Sequence, residues 1–193
     1  MKTTLPKKSK PHQQVIEQIV QIIKDVGKQK ISHIILFGSF ARGDWLNELK
    51  EESDGRLLNY ISDYDILVII KNHNAGTGSN AINLENKINA KIEKAGLDKK
   101  HPTSVIIEPL VTVNKNLRKG QYFFTDIKKE GILLYKDQDV EELKEAKELS
   151  NIEKKQIAQK YFDIWYKKAS SFQSASISEL KKGEYNLSAF LLH

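Results

Sequence analysis

Cysteine is absent from the 193-residue chain, so disulfides and thiolate metal sites are excluded. The five histidines, His12, His33, His73, His101 and His193, do not recur at metal-ligand spacing. Any bound metal is therefore expected on oxygen ligands. No apolar run approaches the roughly 20 residues that a membrane span needs, and the basic N-terminus, Met1 to Lys10, lacks the apolar core of a secretory signal. Together these absences point to a cytoplasmic protein without a membrane partner. Three phosphate and nucleophile signatures are also missing: Gly-Lys-Ser/Thr, a Gly-x-Gly-x-x-Gly that opens a βαβ unit, and a Gly-x-Ser-x-Gly elbow. The Gly76-Thr77-Gly78 run stands between two predicted elements and reads as a linker.

What is present describes a globular protein with enough chain to bury a core: 39% hydrophobic and 29% charged residues, with a net charge of +6 that is compatible with nucleotides or nucleic acid as ligands. Residues 1–10 read as a basic, disordered arm. Apolar residues at Val15, Ile16, Ile19, Val20, Ile22, Ile23 and Val26 predict an amphipathic helix. The run from Ile31 to Phe37 predicts a buried strand, as does that from Asp63 to Ile70. Between them, residues 44–61 read as an ordered, partly helical excursion. A helix is predicted from Asn80 to Gly96, a third strand over Thr103–Glu108, mostly helix over Val111–Glu130 and a short strand over Ile132–Tyr135. The fold class is α/β (α+β), with a small mixed sheet flanked by helices over residues 11–136 and a helical segment over 137–193. In that segment Ser150-Asn151-Ile152-Glu153 reads as a capping box, followed by a face of Ile157, Tyr161, Ile164, Trp165 and Phe172. The final stripe, Leu187, Phe190, Leu191 and Leu192, is expected to be the start of a domain that further chain or a partner completes.

The chemistry concentrates in two motifs at strand ends, Gly38-Ser39-Phe40-Ala41-Arg42-Gly43 and Ser62-Asp63-Tyr64-Asp65. Residues i and i+2 of a strand share a face, so Asp63 and Asp65 present adjacent carboxylates, and such a pair is relieved by a divalent cation, Mg²⁺ or Mn²⁺. Gly38 lets backbone approach a phosphate, Ser39 offers a hydroxyl, and Arg42 can add a guanidinium. Glu108, closing the apolar run Val105-Ile106-Ile107, is the expected third carboxylate, and three acids can hold two metals. Taken singly, a Gly-Ser turn is commonly only a turn and Asp-x-Asp a solvated pair. Their conjunction is what points to a site.

These residues resemble the signature of the DNA polymerase β-type nucleotidyltransferase superfamily, in its minimal nucleotidyltransferase branch, which is also similar to kanamycin nucleotidyltransferase. The resemblance covers residues 15–135. It implies metal-dependent transfer of a nucleoside monophosphate, AMP foremost, from an NTP such as ATP to an acceptor hydroxyl on a protein, an RNA or a small molecule. Gly38 and Ser39 would then face the phosphates, Asp63, Asp65 and Glu108 the metals, and Glu108 would also be the general base. The tail from Tyr185 to His193 is similar to the start of a HEPN domain, which implies a HEPN partner. The 18-residue insertion between the motifs is longer than the family's usual spacing and is expected to form a lid or an acceptor-binding element. Two other readings remain at this stage. One is a non-catalytic nucleotide-binding regulatory module. The other is an aminoglycoside-modifying enzyme with Glu48, Glu51, Glu52 and Asp54 facing a polycation.

Overall fold

The computed structural model describes residues 1–51 and 57–192, and the chain divides into two compact units, Met1–Lys147 and Glu148–His193. The first is built on a four-stranded mixed sheet in the order β5-β4-β1-β6, with strands β1 (Ile31–Phe37), β4 (Tyr64–Ile70), β5 (Thr103–Pro109) and β6 (Ile132–Lys136). β1 runs antiparallel to both β4 and β6, and β4 runs parallel to β5. Both central strands are apolar along almost their whole length because both faces of the sheet are covered. On one face, Ile34, Leu36, Ile66, Val68 and Ile70 pack with Ile16, Ile19 and Ile23 of helix α1 (Gln13–Gly27) and with Ile88 and Ile92 of α3 (Gly78–Ala95). On the other, Ile35, Leu67 and Ile69 pack with Val113 and Leu117 of α4 (Leu110–Arg118) and with Phe124 and Ile127 of α5 (Tyr122–Glu130). The expected α/β class, a small mixed sheet flanked by helices with a helical C-terminal segment, is the one present.

The local structure departs from the sequence reading in three places and refines it in a fourth. Residues 1–10 are not a disordered arm. Lys2 pairs with β6, its N–H donating to Gly131 O at 3.2 Å while its carbonyl accepts from Leu133 N at 2.8 Å. A 3-10 turn over Lys7–His12 then buries Ser9 completely. The described part of the 44–61 insertion is a β-hairpin, with β2 (Asn47–Glu51) antiparallel to β3 (Leu57–Ile61), and contains no helix. The Val111–Glu130 stretch is mostly helix as expected, refined into two helices because Gly120 at φ 65° turns the chain between α4 and α5. Residues 137–147 are irregular and belong to the first unit: Leu143 is buried in the α4–α5 core, and Lys128 Nζ donates to the carbonyls of Leu143 and Lys144 at 3.3 and 2.8 Å.

The second unit is a helical hairpin of α6 (Asn151–Lys181) and α7 (Tyr185–Leu192). Ser150 and Glu153 form the expected capping box at the start of α6. Ser176 and Ser188, both buried, hold the two helices through reciprocal hydroxyl–carbonyl bonds of 3.0 Å. Among the described residues no helix is long and apolar enough to cross a membrane.

Candidate functional site

Phe37, the last residue of β1, is registered opposite Asp65 on β4. The chain leaving β1 therefore emerges beside the second aspartate, at the one end of the sheet where both motifs meet. It enters α2 (Gly38–Arg42) through Gly38 at φ 68°, and a Cβ there would lie 2.1 Å from Asp65 Oδ2. Only glycine lets this carboxylate pack against the turn. At the other end of α2, the amides of Gly43 and Asp44 both donate to Ser39 O, at 2.8 and 3.1 Å.

The turn is clamped from the N-terminal segment. Ser9 Oγ donates to Phe40 O at 2.7 Å, and Pro6 packs so closely on Gly43 that a Cβ there would lie 2.9 Å from Pro6 Cβ. Beneath the turn Phe40 is fully buried, stacked on Trp45 with ring centroids 5.0 Å apart and in contact with Tyr64 at 4.5 Å. His12 and His101 complete this aromatic box. His12 Nδ1 lies 2.7 Å from Tyr64 Oη. His101 Nδ1 donates to Ser62 O at 2.8 Å, since a carbonyl can only accept. Burial pushes the Tyr64 phenol up to about 12, so it stays neutral. Tyr64 points to the α1–α3 face, whereas Asp65 alternates to the opposite face with Leu67 and Ile69. Anchoring the tyrosine thereby fixes the backbone that carries both acids.

Asp65 is half-buried and its acid is pushed up to about 6, by burial first and then by the charge of Asp63, with Arg42 partly offsetting the rise. Arg42 sits near enough for its charge to act on Asp65, but its Nε donates to Asp44 Oδ2 at 3.0 Å. A half-buried carboxylate whose ionisation a neighbouring carboxylate makes more costly fits a divalent cation held by the two, which would relieve that cost.

Glu108 is not brought to this pair. In the parallel β4–β5 ladder Asp65 lies opposite Ser104, and Glu108 lies opposite Ile69, four residues further along. At about 3.3 Å per residue that is roughly 13 Å down the sheet, with Ile106 between them on the same face. Its acid is raised by burial alone. Among the described residues no cluster of three or more acids or histidines could hold a metal. The expected three-acid, two-metal arrangement with Glu108 as base is thus replaced by a two-acid site with a hydroxyl residue, Ser104, across the ladder. Ser104, the clamp from Pro6 and Ser9, and the aromatic box were not identified from sequence. The one available signal was the interleaving of Phe40, Trp45 and Tyr64 with the motifs. Of the acids considered for a polycation, Glu48 is exposed on β2, while the Glu51 side chain, Glu52 and Asp54 lie outside the described residues.

These features define a mixed α/β domain with an acid pair packed on a glycine turn. No protein-family model matches the chain, and no curated protein matches it. Among solved structures, it is similar to a candidate nucleotidyltransferase from Sulfolobus solfataricus at 16% identity, over 72% of this chain and 92% of that one, with a TM-score of 0.38. It is also similar to a chain from a crystal structure of a toxin–antitoxin with AMP-PNP at 14% identity, over 86% and 98% of the two chains, with a TM-score of 0.37. Likeness at this level carries no functional inference. The functional reading rests on the geometry of the site itself.

Proposed function

We propose that the protein binds a nucleoside triphosphate, ATP foremost, at the Gly38–Ser39 turn and transfers its nucleoside monophosphate to an acceptor hydroxyl, with Asp63 and Asp65 as the acids of the reaction. The observation that supports this reading is the contact between Asp65 and Gly38, which joins an anion-tolerant turn to a carboxylate pair at one sheet end. Mg²⁺ or Mn²⁺ held by the two aspartates would neutralise phosphate charge. In the transfer, a bond forms between the acceptor oxygen and the α-phosphorus as the bond to pyrophosphate breaks, and the acceptor proton passes to a carboxylate. With Glu108 displaced, Asp63 and Asp65 are the acids available for that proton. The acceptor is a hydroxyl of a protein, an RNA end or a small molecule, a HEPN-domain partner being the protein implied by the resemblance of the tail.

Incubation with NTPs labelled at the α-phosphate, Mg²⁺ and candidate acceptors tests this. Label is expected to move to an acceptor with the wild type and to fall at least about a hundredfold with Asp63→Asn/Asp65→Asn, the scale of losing charge stabilisation at a reacting phosphate. A specific observation favours a second reading, a nucleotide-binding regulatory module without turnover: the residue across from Asp65 is Ser104 rather than an acid. Cation-dependent NTP binding with no label transferred to any acceptor would establish that module and overturn the transferase.

A further inference from the structure

The second unit leaves most of its long helix bare. With 31 residues α6 is about 46 Å long and with 8 residues α7 about 12 Å, and the two are joined at Ser176 and Ser188. The short helix therefore accompanies only the C-terminal part of the long one. From Ala158 to Ala169 every residue is exposed. Tyr161, Phe162, Trp165 and, seven residues beyond it, Phe172 are each 47–61% exposed. At 3.6 residues per turn, Ala158, Tyr161, Phe162, Trp165, Ala169 and Phe172 fall within about 100° of arc, so they form one stripe. Lys160, Asp163 and Lys167 stand on the opposite side of the helix. Lys168 lies at the stripe's edge, its Nζ 4.5 Å from the centre of the Trp165 ring.

The order of sizes along the stripe specifies what fits it. Counted from Trp165, it reads Ala at −7, Tyr at −4, Ala at +4 and Phe at +7. Reversing the stripe about Trp165 sets Phe172 on Ala158 and Tyr161 on Ala169, large against small at each step. Spacings of three and four residues are those at which two helices interdigitate along their length. The complementarity is between the stripe and its own reverse, so the occupant it specifies is a second copy of this chain. A bilayer surface would accept the same apolar side chains in any order.

The same reversal carries the α7 end of one copy beside the first turn of α6 in the other, where Ile152 is exposed. Tyr185 and Leu192 stand at i−3 and i+4 from Ser188, on the α6 side of α7, and both are exposed as well. At about 150–250 Å² for each aromatic ring, Tyr161, Phe162, Trp165, Phe172 and Tyr185 leave roughly 600 Å² bare. Ile152 and Leu192 bring each copy to about the 800 Å² that one partner contributes to a stable interface. Exposed apolar surface of this extent marks a contact site.

We propose that the chain forms a two-fold dimer through antiparallel α6 helices, with Trp165 at the axis and with Phe172 and Tyr161 on Ala158 and Ala169 of the second copy. The dimer does not depend on the nucleotidyl-transfer reading. Sedimentation equilibrium of the full chain tests it: the mass is expected to rise from 22.1 kDa to twice that value, with half of the chains paired at or below about 10 µM. Trp165→Ala/Phe172→Ala is expected to weaken pairing at least about tenfold. Ala158→Glu, which keeps every aromatic residue and seats a charge against Phe172, is expected to do the same. Lys160→Ala, on the opposite side of α6, and Asp63→Asn/Asp65→Asn should leave pairing unaltered. All the α6 changes are at exposed positions, and circular dichroism verifies that the helix is kept. Because the chain lacks cysteine, disulfides report the direction of pairing. A mixture of Tyr161→Cys and Ala169→Cys chains is expected to cross-link on mild oxidation. Neither is expected to cross-link alone, since like positions would stand about 12 Å apart along the helices. Three outcomes would overturn the proposal: a chain that stays monomeric to about 100 µM, including one that binds phosphatidylglycerol vesicles instead, a dimer indifferent to both stripe variants, or cross-linking of either cysteine variant by itself.

Discussion

Asp65 is held where ionisation is costly. Its acid lies at about 6 in the folded protein against an ordinary 3.8, so the fold prefers the protonated form. The ionised carboxylate therefore destabilises the protein above about pH 6. That cost fades as pH falls through 6 and is gone below 3.8. The difference corresponds to about 3 kcal/mol if fully expressed, and solvent around this half-exposed group screens it to about 1 kcal/mol. Asp65→Asn is accordingly expected to stabilise the protein by about 1 kcal/mol at pH 8 and by nothing measurable at pH 3.5, as read from urea unfolding at the two pH values. Equal effects at both would show that burial and Asp63 do not bear on this carboxyl. The acid pair was legible in the sequence because a period of two places Asp63 and Asp65 on one face. The fate of Glu108 was not, because the offset between two paired strands is written in neither strand alone.

Among the elements, the N-terminal segment changes most in meaning. Its lysine-rich composition resembles that of a solvated arm, yet Pro6 and Ser9 grip the turn between β1 and β4 from outside. Ser9→Ala removes the donor from a buried carbonyl and is expected to cost about 1–2 kcal/mol in urea unfolding. Lys7→Ala and Lys10→Ala, on exposed positions of the same segment, should stay within about 0.5 kcal/mol. A loose arm would make all three neutral. The hairpin of β2 and β3 was equally hard to read, because its strands are short and mix polar with apolar residues without clean alternation. The helices α1 and α3 and the strands β1 and β4 were legible for the opposite reason. Their apolar residues follow a single period long enough to exclude the other.

At the scale of the molecule, every residue of the two apolar clusters falls within the first 147 residues, and Leu143 and Ala146 close the second cluster. A chain ending at Lys147 is expected to unfold cooperatively within about 5 °C of the first unit's transition in the full chain, and to show the same proposed cation-dependent NTP binding as the full chain. One ending at Lys136 would lose Leu143 and with it about 2–4 kcal/mol. Thermal melts of the two fragments check this. The sequence by itself determined the α/β class, the principal helices and strands, and the pairing of a glycine turn with two aspartates, since each depends on residues close together in the chain. Only the tertiary structure decided that the two motifs meet, through the opposition of Phe37 and Asp65. It also decided that Ser104 rather than Glu108 stands across from the acid, and that an N-terminal segment locks the turn. Strand register and long-range packing arise from the whole core settling at once, and no local pattern carries them.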